Sequence, residues 1–376
     1  MRIKLNIMGT LLLAIALLVT ACGAIGYVID WLWGYRPAGQ RNKQSAAISR
    51  IQSRGGKVTP LLAGDRFPEV AGIFRVCAVD FSHADITDDD LLLLDGLGAS
   101  VDLILTNASV TDSAIESLLA LHSSHINSLS LSGTKITDKA LQRLHGLPDL
   151  TGLDLSHTSI TDTGIKSLLP LASLLTLRVS ATRIGDEGLR HIGKSFGASQ
   201  LKWLELDLSG TAITDEGLPR LLGLRFDKLD LSNTRITDRG LLLLQDTESI
   251  RELYLANTQI TDQGVEHLTV VNRLCTLSLA DTRVGRLGVS KLRALTALGR
   301  LDLSGTKIDD DSLQDLAHGS FDVLWLRRTN VTDAGIEPLT RMLKLRYVYL
   351  SGSRITAAGV LALRRARPTL QIMIDP

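Results

Sequence analysis

The sequence predicts an α/β solenoid, in which short parallel strands form one face and helices the other, preceded by a single transmembrane helix. Two observations carry this prediction: a motif of about 24 residues recurs twelve times after residue 76, and residues 7–29 contain no charge. The chain has 376 residues, a formal net charge of +1 and only 4% aromatic residues. So few aromatic residues favour a core of stacked aliphatic layers. The lack of a basic excess disfavours a nucleic-acid-binding protein.

The amino-terminal segment, residues 1–35, is predicted to be a membrane anchor. Its uncharged stretch from Ile7 to Ile29 has 23 residues. A helix of that length, at about 1.5 Å per residue, can cross a hydrocarbon core of about 30 Å. The aromatic residues typical of a membrane interface follow or end the stretch: Tyr27, Trp31, Trp33 and Tyr35.

Two other processing routes stay open for this segment. Residues 19–22 resemble a lipobox, in which Cys22 would be lipidated after cleavage, and an ordinary cleaved signal is the third route. The apolar run continues past Cys22, which favours an uncleaved, single-pass signal-anchor. Basic residues after the span outnumber those before it, so the positive-inside rule favours a repeat domain on the cytoplasmic face.

Residues 36–72 are predicted to form a basic juxtamembrane helix and a cap. A short helix over residues 40–54 would end at Gly55-Gly56. Residues 1–72 hold nine basic and three acidic side chains, a balance that can meet anionic lipid head groups.

The remaining residues, 73–376, are predicted to form a domain of about twelve repeats with a carboxy-terminal cap. One unit reads L-x-x-L-x-L-S-x-T-x-I-T-D-x-G-I over residues 150–165. A spacing of 29 residues in one unit predicts an inserted loop at Ser195–Gln200, and residues 368–374 predict a truncated thirteenth strand. The isoleucine of the unit recurs at Ile86, Val110, Ile136, Ile160, Ile184, Ile213, Ile236, Ile260, Val284, Ile308, Val331 and Ile355.

Each position of the unit has a predicted role. The paired leucines form a strand, and threonine two residues before the isoleucine, present in nine of twelve units, is predicted to form a buried ladder that bonds a neighbouring turn. Threonine and aspartate after the isoleucine would cap a helix and face the positive end of its dipole. Glycine then recurs in eight units, although glycine destabilises a helix by about 1 kcal/mol relative to alanine, which predicts close approach of a neighbour there.

This unit resembles the leucine-rich repeat, and its Thr-x-Ile-Thr-Asp-x-Gly form is similar to repeats of F-box-type substrate receptors and many bacterial proteins. The whole chain resembles bacterial membrane-anchored leucine-rich-repeat proteins, in which a span leads to a basic helix like residues 44–56 and then to the repeats. The resemblance implies a right-handed horseshoe with a concave parallel sheet and convex helices. It implies a binding scaffold and says little about activity.

Motifs for catalysis are not evident in the sequence. The phosphate-loop pattern at residues 188–195 falls on a predicted helix, His122 and His125 have no further ligands at useful spacing, and acidic runs fall at helix starts. We find no HExxH, no GxSxG and no plausible Ser/His/Asp set. We therefore expect no catalytic residue, no cofactor and no metal ligand, and the chain is predicted not to be an enzyme.

The residue between the paired leucines of each strand should lie on the concave face, in one column across the sheet. In that column Asp207 and Asp230 become neighbouring like charges. The acidic column is either a solvated face or a site for a cationic partner.

An aromatic and basic group is predicted near the carboxy-terminal end of the same face. Because aromatic residues and arginine are enriched in interface hot spots, we take this group as a candidate binding site. Capping of the last strand is the alternative. Its members are Trp325, Tyr347, Tyr349, Arg300, Arg327 and Arg328, with Tyr254 further along.

A second column should lie at the edge where the strands exit. It contains Lys135, Arg183, Arg235, Arg283, Lys307 and Arg354, alternating with Ser159, Ala212, Gln259 and Asn330. This column is either a solvated edge paired with the acids, or a surface that steers a partner of complementary charge.

These observations favour a membrane-anchored, non-catalytic scaffold that binds a protein or peptide on its concave face. The alternative is an envelope glycan-binding or structural protein. No nucleic-acid partner is expected.

Overall fold

The computed structural model describes residues 38–60, 76–122, 125–168, 173–197, 203–244 and 250–374. One fourteen-stranded sheet runs through them, with its strands in chain order. Neighbours from β2 onwards pair parallel, whereas β1 pairs antiparallel with β2. The strands are β1 (Lys57–Pro60), β2 (Val76–Asp80), β3 (Ser100–Ile104), β4 (His125–Ser130), β5 (Gly152–Asp154), β6 (Thr176–Arg178), β7 (Trp203–Asp207), β8 (Arg225–Asp230), β9 (Ile250–Tyr254), β10 (Thr276–Ser278), β11 (Arg300–Asp302), β12 (Val323–Trp325), β13 (Tyr347–Tyr349) and β14 (Gln371–Met373).

Short helices connect the strands. The α-helices are α1 (Ala38–Ser53), α2 (Ser113–Leu119), α3 (Asp138–Leu141), α4 (Asp162–Lys166), α5 (Asp186–Gly197), α6 (Asp238–Leu244), α7 (Asp262–Leu268), α8 (Arg286–Lys291), α9 (Asp310–Leu316), α10 (Ile336–Arg341) and α11 (Ala357–Ala366). Short 3-10 helices complete the connections at Asp88–Leu97, Leu144–Gly146, Leu218–Leu221, Leu292–Ala294 and Asp333–Gly335.

Aliphatic side chains fill the space between the sheet and the helices. They form one continuous core that extends from Ala47 to Leu370. Both leucines of a typical strand, such as Leu229 and Leu231, are fully buried. The predicted parallel solenoid with a core of stacked aliphatic layers is therefore confirmed.

A left-handed turn ends the strand in each of the twelve repeats. Its residue has a φ between 52° and 71°, a region where glycine and asparagine are favoured. The backbone N–H of that residue donates to the next repeat, as when Asn233 donates to the carbonyl of Ala256 at 2.8 Å. The sheet ladder thus continues through the turns. The turn residues are His83, Asn107, Gly133, His157, Ala181, Gly210, Asn233, Asn257, Asp281, Gly305, Arg328 and Gly352.

The repeated aspartate bonds the following repeat, which the sequence did not predict. In all ten units that carry it, one carboxylate oxygen accepts the backbone N–H that opens the next repeat's helix, at 2.6–2.9 Å. In eight of them the second oxygen accepts the threonine hydroxyl there, at 2.5–2.7 Å. The predicted threonine caps are present, for example at Thr137 and Thr161. The sequence predicted only that the aspartate faces the dipole of its own helix, and this prediction missed its bonds to the next repeat.

The recurring glycine provides room for this aspartate. A Cβ atom at Gly188 would lie 2.5 Å from Oδ1 of Asp162, and one at Gly217 would lie 2.5 Å from Oδ1 of Asp186. All eight glycines at this position face the aspartate of the preceding repeat in the same way. The predicted close approach is therefore confirmed, and its partner is a carboxylate.

At one junction between repeats, the aspartate, the threonine and the glycine are all replaced by other residues. Arg286 takes the aspartate position, and it pairs with Asp311 at 2.6 Å and Asp315 at 2.9 Å in the next repeat. That next repeat has Asp309 in place of threonine and Ser312 in place of glycine. Asp309 accepts the backbone N–H of Ser312 and so caps its own helix. At this junction all three residues are replaced together, whereas at Gly185 and Gly285 only the threonine is absent and the aspartate bond is kept.

The predicted threonine ladder is buried, but its hydrogen bonds differ from the prediction. The nine threonines are 4–8% exposed. Each hydroxyl donates at 2.5–2.7 Å to the carbonyl three residues earlier in its own repeat, rather than to a neighbouring turn. The left-handed turn between the two residues brings them within reach of each other.

The amino-terminal end of the solenoid is covered by α1 and β1. Helix α1, predicted at residues 40–54, packs Ala47 and Ile51 into the core. Arg54 pairs with Asp90 at 3.0 Å. Asp90 occupies the small-residue position of the first repeat, where no preceding repeat supplies an aspartate, and it accepts the backbone N–H of Thr87 at 2.9 Å.

The other predictions on segments have mixed outcomes. The truncated repeat strand predicted at residues 368–374 is confirmed. It is β14, because β1 precedes the first repeat, and it pairs with β13. The loop predicted at Ser195–Gln200 is wrong in its first part, because α5 continues to Gly197, and residues 198–200 lie outside the described residues. The predicted span at residues 7–29 and Cys22 also lie outside them. Within the described residues, every helix is too short or too polar to cross a bilayer.

We expect Leu231→Ala to lower the free energy of unfolding by about 2–5 kcal/mol, because a buried leucine is replaced by a cavity. Leu231 is fully buried, whereas Arg235 in the same repeat is exposed. Arg235→Ala is the matched control and should cost little. Urea denaturation followed by circular dichroism checks this, and equal midpoints for the two variants would contradict the register.

We expect Asp215→Ala to lower the free energy of unfolding by about 1–3 kcal/mol, because two partly buried donors of Thr237, its backbone N–H and its hydroxyl, lose their acceptor. Glu216→Ala, at the adjacent position, removes the same charge but only an exposed ion pair with Arg239, and should cost about 0–1 kcal/mol. The same denaturation experiment compares them. Equal losses would mean that the aspartate acts only through the helix dipole.

Candidate functional site

The exposed face of the sheet carries the predicted columns in register. The residues between the paired leucines pair strand by strand from Asp80 to Tyr349, and the column ends at Met373. A second column two residues earlier contains Glu205, Lys228, Glu252, Arg300 and Tyr347. The nine candidate residues therefore divide into two groups.

The first group is an aromatic cluster on β12 and β13. The rings of Trp325 and Tyr349 stack, with centroids 5.3 Å apart and planes inclined by 14°. Both are half-buried, and Tyr347 in the neighbouring column is 44% exposed. Strand β14 lies between Tyr349 and the end of the sheet, so the cluster lies on the face of the sheet rather than at its last strand.

The arginines of this region have different surroundings. The guanidinium of Arg327 lies 4.9 Å from the centre of the Tyr349 ring, a cation–π contact. Arg300 is exposed, one strand before Trp325. Arg328 instead bonds both carboxylate oxygens of Asp281, at 2.9 and 3.1 Å, across two repeats. Arg328 therefore links two repeats by an ion pair, and a partner that binds Arg328 would have to displace Asp281.

The second group lies on β7 to β9. Asp207 and Asp230 are neighbours in register, and Tyr254 follows on the next strand. The hydroxyl of Tyr254 donates to Glu252 at 3.0 Å, and the ammonium of Lys228 lies 4.8 Å from the centre of its ring. Three strands, or roughly 14 Å at about 4.8 Å per strand, separate Tyr254 from Trp325, so the two groups are distinct.

The acidic residues of the column have a structural task. Asp207 accepts the backbone N–H of Ser209 at 2.9 Å, and Asp230 accepts that of Ser232 at 2.9 Å. The same bond recurs at Asp154 and Asp302. Burial raises the pKa of the Asp230 carboxyl, and the charge of Asp207 adds to the rise. Each aspartate thus closes the turn after its strand, and the second oxygen of Asp154 and of Asp302 accepts a serine hydroxyl from the preceding strand, at 3.4 and 3.5 Å.

The edge where the strands exit contains a groove that the sequence did not predict. It is open, has a volume of about 610 Å³ and is lined by residues of four successive repeats. Arg183 and Arg235 line it together with Asn233 and Asn257, whose side chains bond each other at 2.9 Å. The sequence signal that could have indicated these residues is an asparagine at the position of the repeat that forms the left-handed turn.

The motifs considered for catalysis or metal binding have other surroundings. Residues 188–195 lie within α5, so the phosphate-loop pattern does not precede a helix. His125 pairs with Asp149 at 3.0 Å. Within the residues that the structure describes, no three or more His, Cys, Asp and Glu side chains are grouped to hold a metal ion.

Comparison with known proteins agrees with the repeat architecture. Five segments match the family model for the leucine-rich repeat: residues 122–144, 146–169, 201–220, 228–244 and 248–268. These five segments are similar to the leucine-rich repeat. No curated protein matches the chain.

The solved structures that match this chain include bacterial proteins. An internalin from Listeria monocytogenes, InlF, is 20% identical over 70% of this chain and 82% of its own, with a TM-score of 0.46. A second internalin from the same organism, InlC2, is 24% identical over 57% of this chain and 84% of its own, with a TM-score of 0.40. A leucine-rich-repeat protein of Leptospira interrogans is 20% identical over 75% of this chain and 74% of its own, with a TM-score of 0.45.

Proposed function

We propose that this leucine-rich-repeat chain is a non-catalytic recognition module that binds a protein or peptide on the exposed face of its sheet. Leucine-rich repeats typically mediate protein–protein interaction, and the segments that match this repeat are the support for a binding role. We further propose that residues 1–35 anchor it to a membrane by a single pass, with the repeats on the cytoplasmic side.

The aromatic cluster is the observation that carries the proposal. Trp325, Tyr347 and Tyr349 account for three of the fifteen aromatic residues of the chain. An exposed tyrosine ring on a sheet face loses favourable burial unless a partner covers it. The stack of Trp325 on Tyr349, with Arg327 over the tyrosine, holds these side chains in place, and so little conformational entropy would be lost on binding.

The charged residues around the aromatic cluster indicate which chemical groups a partner would present to it. Arg300 is exposed on β11, where it lies in register with Val323, and Asp302 on the same strand lies in register with Trp325. A partner segment with a carboxylate near an apolar or aromatic side chain would fit this arrangement. Tyr254, Asp230 and Asp207, which lie three, four and five strands from Trp325, would extend the contact if the partner lies along the sheet.

We expect the double variant Trp325→Asp/Tyr349→Asp to lose its partner in a pull-down from native membrane extract. The full chain, kept in a neutral detergent because of its apolar first segment, is the bait, and circular dichroism verifies that the variant is folded. Truncating a central aromatic anchor typically costs 2 kcal/mol or more, about a 30-fold loss in affinity. The captured proteins are identified by mass spectrometry.

The matched control is Leu343→Ala, which removes an apolar side chain that is 82% exposed in the connection between α10 and β13. It should retain the partner. A partner held equally by the double variant and the wild type would exclude the aromatic cluster as the site. Loss of the partner from Leu343→Ala would place the contact on the helix side instead.

A further inference from the structure

The edge column of basic residues is continuous in the structure. Its backbone forms a ladder between repeats, as when Arg183 donates to the carbonyl of Ile160 at 3.0 Å and Arg235 to that of Ile213 at 3.1 Å. Across the ten repeats from Lys135 to Arg354 the column has six basic members and no acidic one. The members are all exposed: Lys135, Ser159, Arg183, Ala212, Arg235, Gln259, Arg283, Lys307, Asn330 and Arg354.

The six basic side chains have no ion-pair partner among the residues that the structure describes. Arginines elsewhere on the surface do: Arg239 pairs with Glu216 at 2.9 Å and Arg251 with Asp227 at 3.1 Å. The nearest repeated acids are already engaged, since one aspartate column bonds the next repeat and the other closes the turns. The edge therefore keeps an uncompensated positive charge in a chain whose net charge is only +1.

The spacing of the charges follows from the fold. Basic residues occupy mostly alternate repeats, so at about 4.8 Å per strand they lie roughly 10 Å apart, over about 40 Å in all. They form a single file. On one side the sheet face carries Asp154, Asp207, Asp230 and Asp302, which would repel a flat anionic surface or a nucleic-acid duplex. A partner that contacts this single file of basic residues must be anionic and extended, and it must be as narrow as a single polymer chain.

The groove gives the column a place to hold such a chain. Between Arg183 and Arg235 the intervening repeat has Gly210 and Ala212, and their small size leaves the open volume of about 610 Å³. The amides of Asn233 and Asn257 line the same groove. Two guanidinium groups across a gap, with amides beside them, can bond a carboxylate or sulfate together with hydroxyl groups.

The composition of the edge distinguishes an acidic polysaccharide from an acidic peptide. Protein interfaces rely on buried aromatic and large apolar anchors. The column and the groove contain none, and their uncharged members are serine, threonine, asparagine, glutamine, glycine and alanine. We propose that this edge binds a linear acidic polysaccharide, whose anionic groups are held by Arg183, Arg235 and Arg283. This site is independent of the aromatic cluster.

Binding of heparin oligosaccharides of graded length to the full chain in neutral detergent tests the proposal by isothermal titration calorimetry. Affinity should rise with length until the column is covered, and fall with salt. We expect Arg183→Ser/Arg235→Ser/Arg283→Ser to weaken binding of the longer oligosaccharides about tenfold or more, because several contacts are lost together. Circular dichroism verifies folding, and the buried core does not involve these side chains.

The matched control is Arg239→Ser/Arg251→Ser/Arg341→Ser, which changes the net charge equally but removes paired arginines. It should retain binding within about threefold. Equal loss in both triple variants would mean non-specific charge attraction and would overturn the proposal. So would no binding by the wild type. Tighter binding to polyglutamate, to single-stranded oligothymidylate or to phosphatidylserine vesicles, each run as a separate arm, would replace the polysaccharide with that partner class.

Discussion

The bond between the carboxylate of one repeat and the backbone of the next is the interaction on which this solenoid depends. Each aspartate accepts the N–H that opens the following helix, and most also accept a threonine hydroxyl. Hydrogen bonds to an ionised acceptor are stronger than neutral ones, and eight of the ten backbone bonds are partly buried between repeats. Because a single repeat cannot bury its own apolar face, the contact between neighbours decides whether the stack forms. Ten such bonds fix the helix side, as the sheet ladder fixes the other.

This constraint explains several other features of the chain. In eight helices the aspartate of the preceding repeat occupies the space that a Cβ atom of the glycine would take, whereas Ala114 and Ala140 accompany Asp88 and Asp112 at the first two junctions. Where Arg286 replaces the aspartate, the glycine and threonine of the next repeat are replaced as well. The twelfth repeat has Ala357 at the aspartate position, and the described strand β14 follows its helix. The first repeat has Asp90 at the glycine position, where it pairs with Arg54 of the preceding segment.

The same bonds distribute charge over the surface. The carboxylates between repeats and those of the sheet face are occupied by backbone donors, whereas the basic residues of the edge have no such task. A nearly neutral chain therefore has an acidic and aromatic sheet face beside a basic edge. The two proposed binding surfaces arise from this separation. They differ in chemistry, since one offers stacked rings and the other offers cations with amides.

The repeat sequence predicted the solenoid, the strand register and the columns of exposed residues, because a period of about 24 residues with paired leucines leaves one arrangement that buries them. It also predicted that Trp325, Tyr347 and Tyr349 lie together, since residues one repeat apart become neighbours across the sheet. It did not predict the partner of Asp215, the carbonyl bonded by Thr234 or the pairing of Arg328 with Asp281. A periodic pattern gives a residue's place in the repeat but not which of several nearby groups its side chain reaches.

By itself, then, the sequence determined the architecture and the surface on which each variable residue lies, because hydrophobic periodicity is a local property that stacking preserves. The tertiary structure decided how the repeats are held together and which charges stay free. It decided that Arg328 links two repeats by an ion pair and that Arg183 and Arg235 flank a groove. These contacts depend on distances between residues that are far apart in the chain. The local backbone conformation and the size of the neighbouring side chains set those distances, and the repeat pattern does not give them.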